Sequence, residues 1–373
     1  MLGGCAIIPK TGGGEPVGNV PEPQPTPEPS ATALPTDEGR HRIALLVPMT
    51  GTNSGVGQSI ANATTMALID TNADNLRITT YDTAQGANAA ARQAIADGNK
   101  LILGPLMGAN VPAVQAAARA ASVPAISFSN DASVASADVF VMGHIPEQSV
   151  RRTVEYARAN GSNNFAALVP EGDYGQKSFD ALNNALRDYG GNLVGSARYA
   201  RGNTSIVSAA QRLRAAGGYD TVLIADGARL ATQAAGELKS AGASGTRLLG
   251  TELWSGESAL TRSAAIDGAL FSAVSDGRYR RFADSYEQRF GSKPYRVSTL
   301  GYDAVLLTLR IARDWRVGRD FPERELFDRG GFLGVDGAFR FGRNGVAERA
   351  WEVRQVRGNE IVAVSNAPAT FAD

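Results

Sequence analysis

Along most of the chain, short unbroken apolar runs alternate with longer stretches in which apolar residues recur every three or four positions. The first run, Ile43-Ala44-Leu45-Leu46-Val47, stops at Pro48 and has no polar face, as expected of a strand covered on both sides of a parallel sheet. From 58 to 70 the spacing changes, and Ile60, Ala63, Ala67 and Leu68 share one side of a helix. The same alternation predicts strands over 76–81, 101–103 and 125–128, with helices over 87–97 and 111–121 between them. A second series follows, with helices over 147–160, 176–189, 205–216 and 228–241 and strands over 165–169, 193–197, 221–224 and 247–250. Strands alternating with helices of about 10–15 residues build right-handed βαβ units and an open parallel sheet. Two such series in tandem predict two lobes of one architecture.

Ligands of doubly wound sheets lie beyond the carboxyl ends of the strands, so the loops after each strand carry the candidate site. In lobe one these are Met49-Thr50-Gly51-Thr52-Asn53-Ser54-Gly55-Val56-Gly57, Gly104-Pro105-Leu106-Met107-Gly108-Ala109-Asn110 and Ser129-Asn130-Asp131. In lobe two they are Pro170-Glu171-Gly172-Asp173-Tyr174-Gly175, Asp226-Gly227 and Thr251-Glu252-Leu253-Trp254. Any one of them is what ordinary turn chemistry prefers. Six on the same edge point to a binding cleft, with Ser54, Met107, Gly108, Ser129, Asn130, Asp131, Tyr174, Asp226, Glu252 and Trp254 as its candidate residues.

Charge and composition narrow the function. Lys and Arg together number 37, as do Asp and Glu, so there is no net basic field to hold nucleic acid. No run approaches the roughly 18–20 apolar residues that cross a bilayer as a helix. Gly55-Val56-Gly57-Gln58-Ser59-Ile60 follows a strand as a dinucleotide loop would, but Ile60 stands where the third glycine belongs. Neither a phosphate loop nor a nucleophile elbow is present. With one cysteine, Cys5, and two histidines, His41 in the linker junction and His144 beside the Phe140-Val141-Met142 run, no zinc site or nucleophile–histidine pair can be assembled. The expectation is a non-enzymatic protein with neither metal nor cofactor.

Leu2-Gly3-Gly4-Cys5 resembles the cleavage box of a bacterial lipoprotein, which implies an exported chain lipidated at Cys5 and held at a membrane. Residues 6–40, rich in proline from Pro9 to Pro35, predict an extended, disordered linker, because each proline fixes φ and disfavours helix in the residue before it.

Ile43–Gly51 with Gly57-Gln58, Leu101–Pro105 with Val123-Pro124-Ala125-Ile126-Ser127, Asp173-Tyr174-Gly175 and the Gly337-x-Phe339-x-Phe341 hairpin together resemble the type I periplasmic binding proteins of the leucine/isoleucine/valine-binding branch. That resemblance implies an α/β, two-lobed fold, each lobe a doubly wound parallel sheet flanked by helices, with a cleft between. It assigns 41–143 with 273–315 to lobe one and 144–272 with 330–366 to lobe two. It also implies that Tyr174 closes over a ligand and that Glu252 meets an ammonium group, while Gly108 stands where the family's carboxylate-binding serine belongs. Leu103-Gly104-Pro105-Leu106, Phe128-Ser129-Asn130-Asp131 and Gly143-His144-Ile145-Pro146-Glu147-Gln148 are similar to the corresponding module of lipoprotein activators of penicillin-binding proteins, the LpoA type. This second resemblance implies a lipid anchor in the outer membrane and a partner that is a peptidoglycan synthase, a penicillin-binding protein. The alternative partner is the permease of an ABC importer, with a small ligand other than an ordinary amino acid.

Overall fold

The computed structural model describes residues 39–202, 205–240, 245–368 and 371, so Cys5 and most of the proline-rich segment lie outside it. Lobe one opens with β1 (His41–Val47), α1 (Ser54–Asp70), β2 (Leu76–Asp82) and α2 (Ala87–Ala96). It continues with β3 (Leu101–Leu103), α3 (Val111–Ala118), β4 (Ala125–Ser127) and β5 (Val139–Val141). The five strands lie in the order β2-β1-β3-β4-β5, all parallel, with Ile43 aligned to Ile78 on one side and Leu101 on the other. The apolar run of β1 is divided between the two faces: Ile43, Leu45 and Val47 pack on one, Ala44 and Leu46 on the other. Burial on both sides is why the run carries no polar alternation.

Lobe two comprises α4 (Pro146–Ala159), β6 (Asn164–Pro170), α5 (Asp173–Tyr189), β7 (Asn192–Tyr199), α6 (Ser205–Ala216), β8 (Thr221–Ile224), α7 (Ala228–Leu238), β9 (Arg247–Leu249) and β10 (Leu270–Val274). The chain then returns to lobe one as α8 (Tyr279–Phe290) and α9 (Thr299–Ile311), where Leu300, Ala304, Leu307 and Ile311 join the core beneath β1. Strands β11 (Phe332–Gly334), β12 (Gly337–Phe341) and β13 (Ala347–Arg349) form a small antiparallel sheet. Finally β14 (Trp351–Arg357) and β15 (Glu360–Ser365) complete the second sheet, whose order is β15-β14-β10-β9-β8-β6-β7.

Several expectations shift. The segment 330–366, assigned whole to lobe two, divides: Phe332, Phe339, Phe341 and Ala347 are in the lobe-one core, and Val141 N–H donates to Gly345 O at 2.8 Å. Only from Trp351 does the chain pair with lobe two, β14 running antiparallel to β10. The return crossover begins after Val274, because Ala273 and Val274 complete β10. His41 belongs to β1 rather than to a linker, its ring stacked on Trp315 with centroids 4.1 Å apart.

Two helices also begin earlier than the glycines of their first turns suggest. α1 starts at Ser54 and α5 at Asp173. Gly57 and Gly175 are needed there for closeness: a Cβ on either would lie 1.8 Å from a carbonyl oxygen, of Pro48 and Pro170 respectively. The strand–proline–helix unit is built the same way in both lobes.

The candidate interlobe cleft

Between the carboxyl ends of the two sheets lies a cleft of about 490 Å³. Lobe one contributes a wall from Val56, Leu106, Met107 and Phe128, with Asn53 and Asn130 at its edge, and the returning segment adds Tyr295, Arg296, Val297 and Leu300. Lobe two contributes Glu252, Leu253, Ser255 and Glu257. The mouth is apolar and open: Met107 is 43%, Leu253 36% and Tyr295 53% exposed.

The lobe-one loops are crowded together. A Cβ at Gly108 would stand 2.8 Å from Ser129 Oγ and 3.3 Å from Asp131 Cβ, so position 108 has no room for a side chain as the loops lie. Ser129 is buried, and its hydroxyl accepts from the Asp131 N–H at 3.0 Å. Asp131 accepts from the N–H and hydroxyl of Ser133 at 2.9 and 2.6 Å. Across the cleft, Lys177 Nζ on α5 lies 2.6 Å from Asp131 Oδ2, a direct tie between the lobes. Partial burial works to raise the Asp131 pKa, but the Lys177 and Ser133 donors outweigh it and hold the carboxyl below its ordinary value.

On the lobe-two side, the Tyr174 hydroxyl donates to Glu252 Oε1 at 2.9 Å and lies 2.8 Å from Thr251 Oγ1. Burial pushes the Glu252 carboxyl up to about 7; the Tyr174 bond opposes the shift, and the nearby charge of Glu147 adds to it. Glu147, in the first turn of α4, is raised as well, chiefly by burial. The Oε2 atoms of both glutamates are buried without a hydrogen-bond partner. Burial together with the Glu252 charge raises the Tyr174 hydroxyl well above its ordinary value, so it stays a donor.

At the back of the cleft, where the chain crosses between lobes, sits a buried ionic network. Asp336, fully buried, receives Arg296 at 2.5 Å and the Thr299 hydroxyl at 2.7 Å, and its Oδ2 lies 2.7 Å from His144 Nε2. Arg296 also lies 3.8 Å from Asp276, which pairs with Arg354, and its guanidinium covers the Tyr279 ring at 4.1 Å. Arg349 donates to Met142 O at 2.6 Å and Arg354 to Val274 O at 2.6 Å, one at each of two crossovers. Asp303 accepts from Val335 N–H at 2.5 Å, and burial with the neighbouring Asp336 charge raises its carboxyl to about 7.

Of the sequence candidates, the fold brings Met107, Gly108, Asn130 and Glu252 to the cleft surface, with Asp131 and Tyr174 tied into its two sides and Ser129 beneath Gly108. Ser54 begins α1, and its neighbours Asn53 and Val56 line the cleft. Asp226 and Trp254 are turned into lobe two. Asp226 is bound by Tyr199 at 2.7 Å and Arg201 at 2.9 Å, and the fully buried Trp254 donates its indole N–H to Asp226 O at 2.8 Å. Glu147, Lys177, Tyr295 and Arg296 were not among the sequence candidates. Lys177 carried a signal, being one of five lysines and three residues after Tyr174 on the same helix.

One lobe is built on a parallel sheet and the other on a mixed sheet, in which β14 and β15 run antiparallel where a wholly parallel sheet was expected. Joined by three crossovers and facing each other across a cleft, the two lobes define a binding protein of the hinged, two-lobed class. The chain belongs to the periplasmic binding protein family, whose profile matches residues 41–360, and that family places it in the periplasm. It is similar to an uncharacterized protein of Rickettsia prowazekii (strain Madrid E), RP748, with 31% identity over 146 residues, 39% of each chain. It is also similar to the penicillin-binding protein activator LpoA of Vibrio antiquarius (strain Ex25), 26% identical over 183 residues, 47% of this chain and 30% of that protein. The aligned parts are thus well under half the length of either relative. Among solved structures, the leucine binding protein LivK of Thermotoga maritima MSB8 superposes with a TM-score of 0.66 at 20% identity, over 87% of this chain and 98% of the other. The family and its structural relatives are binding proteins.

Proposed function

We propose that this protein is a non-catalytic regulator of peptidoglycan synthesis, lipid-anchored at Cys5 to the outer membrane, that activates a penicillin-binding protein by contact. The observation that carries the reading is the filled position where an amino acid's carboxylate would be held. Gly108 lies hard against Ser129 Oγ, and the adjacent Asp131 is an anion already paired with Lys177. A carboxylate brought there would meet a fixed negative charge whose counter-ion, Lys177, is already engaged. The similarity to LpoA supports the partner class. A second reading, a solute receptor for an ABC importer with an altered ligand, is favoured by the open cleft and the Tyr174–Glu252 pair.

The test is co-purification of the full lipidated chain from cross-linked native membranes, with fluorescent penicillin marking the synthases and permease subunits identified by mass. Penicillin-labelled bands in the eluate, and faster glycan polymerisation when the protein is added to that synthase, are expected. Recovery of a permease without a labelled synthase overturns the reading in favour of the receptor.

A further inference from the structure

We propose that a cavity on the flank of lobe one, between α1, α8 and α9, binds a small amphiphilic anion. Its carboxylate or phosphate head sits on Arg278 and Arg281, and its apolar body lies against Phe282, Tyr302 and Val335. The site is separate from the interlobe cleft and does not depend on which partner the protein contacts.

The cavity measures about 280 Å³. Its floor is closed by the buried Met66, Phe282 and Val335, and Tyr302 and Leu306 of α9 form one side. Tyr302 meets Phe282 edge to face, with ring centroids 5.6 Å apart and planes at 86°, so the aromatic wall is held by its own packing. Arg278 stands in the second crossover, between β10 and α8, and Gly334-Val335 on the opposite side lead directly into Asp336. An occupant therefore touches the crossover and the turn that carries the centre of the ionic network.

The rim carries positive charge that nothing nearby offsets. Arg281 is exposed and makes no hydrogen bond or ion pair among the described residues. Arg278 gives one N–H to Gly334 O at 3.2 Å, which leaves most of its guanidinium donors to the cavity and solvent. The first turn of α8 holds no acid to compensate them. Among the lining residues the one acid is Asp70, and it is already engaged: Oδ1 takes Arg289 at 2.6 Å and Oδ2 the Tyr302 hydroxyl at 3.1 Å. A guanidinium presents paired N–H donors that match a carboxylate or phosphate. Exposed arginines alone hold an ion weakly, because water competes and salt screens. The apolar floor beside them supplies the remainder through burial of a short aryl or alkyl body, which a bare inorganic ion leaves unused.

The experiment is isothermal titration of the full chain with 3-phenylpropionate and 2-phenylethyl phosphate. 3-Phenylpropan-1-ol serves as the body without charge and inorganic phosphate as the head without body. Saturable binding of at least one organic anion is expected, the tighter of the two identifying the preferred head, with both controls at least about tenfold weaker. Arg281→Gln should weaken that anion by about tenfold or more and leave the fold intact, since the side chain is exposed and unpartnered. Ser285→Trp fills the cavity with both arginines in place and should abolish binding. A diazirine derivative of 3-phenylpropionate, cross-linked and mapped by mass spectrometry, should label peptides within 278–306. Binding of neither anion, a control as tight as its parent anion, full affinity in Arg281→Gln, or labels confined to 106–108 and 252–257 in the interlobe cleft would overturn the proposal.

Discussion

At the level of single residues, Glu252 is the group whose behaviour is most open to measurement. Its ordinary pKa of 4.5 is raised to about 7 in the folded chain by burial. Folding therefore favours the protonated form. The stability this supplies is complete below pH 4.5 and is lost as the pH rises through about 7. Glu252→Gln is neutral throughout and keeps an oxygen to accept from Tyr174. Its unfolding free energy relative to the parent should rise between pH 4.5 and 8, by at most about 3 kcal/mol. Urea denaturation across that range checks it; a constant difference would mean that the carboxyl titrates normally. Glu252 and Tyr174 were legible in the sequence because loops after parallel strands face a cleft. Asp226 and Trp254 misled for the same reason. Position in a loop says nothing about which way a side chain turns, and the indole of Trp254 is claimed by the Asp226 carbonyl.

Among the elements, the duplicated contact of helix on strand end deserves a direct test. Gly57 on α1 and Gly175 on α5 each let a helix pass a proline carbonyl at a distance no Cβ tolerates. Gly57→Ala and Gly175→Ala should each destabilise the chain by about 3 kcal/mol or more, since relief requires shifting backbone rather than a side-chain tip. Gly195→Ala is the control: a Cβ there meets only Leu213 Cδ1 at 3.5 Å, ordinary contact. Chemical denaturation of the three variants decides the matter, and equal stability would sink the argument. These glycines explain why α1 and α5 were expected to start late: in sequence they are turn residues, and only the facing carbonyl makes them helix residues. The βαβ alternation was otherwise legible, because long amphipathic helices and fully apolar strands are local patterns. The allegiance of β11–β13 was not, since their phenylalanines alternate equally well for either lobe and only packing beneath β1 decides between them.

For the whole molecule, the ionic network at the crossovers and the tie across the cleft oppose different motions. Asp336 is bound to groups from two other segments, at His144 and at Arg296 with Thr299. Asp336→Asn leaves Arg296 and Arg349 buried with less counter-charge, which should cost about 3–5 kcal/mol in unfolding. A loss under 1 kcal/mol in urea titration would mean that the buried charges are compensated elsewhere.

Asp131 and Lys177, by contrast, are partly solvated and join only the cleft edges. Their contribution to global stability should be about 1 kcal/mol. That small energy has a larger consequence for lobe separation, because open and closed forms of a hinged protein differ by only a few kcal/mol and 1.4 kcal/mol is a tenfold change in their ratio. Lys177→Met removes the tie while leaving the apolar stem of the side chain. Small-angle scattering should then show a larger radius of gyration, with the unfolding midpoint nearly unchanged. Asp131→Asn should open the lobes similarly, and the double variant no further than either single one, since all three break the same pair. Raised salt should move the parent toward the variants by screening the exposed part of the interaction. An unchanged scattering profile in Lys177→Met would show that the crossover network alone sets the lobe angle, leaving the Asp131–Lys177 contact a consequence of closure rather than a cause.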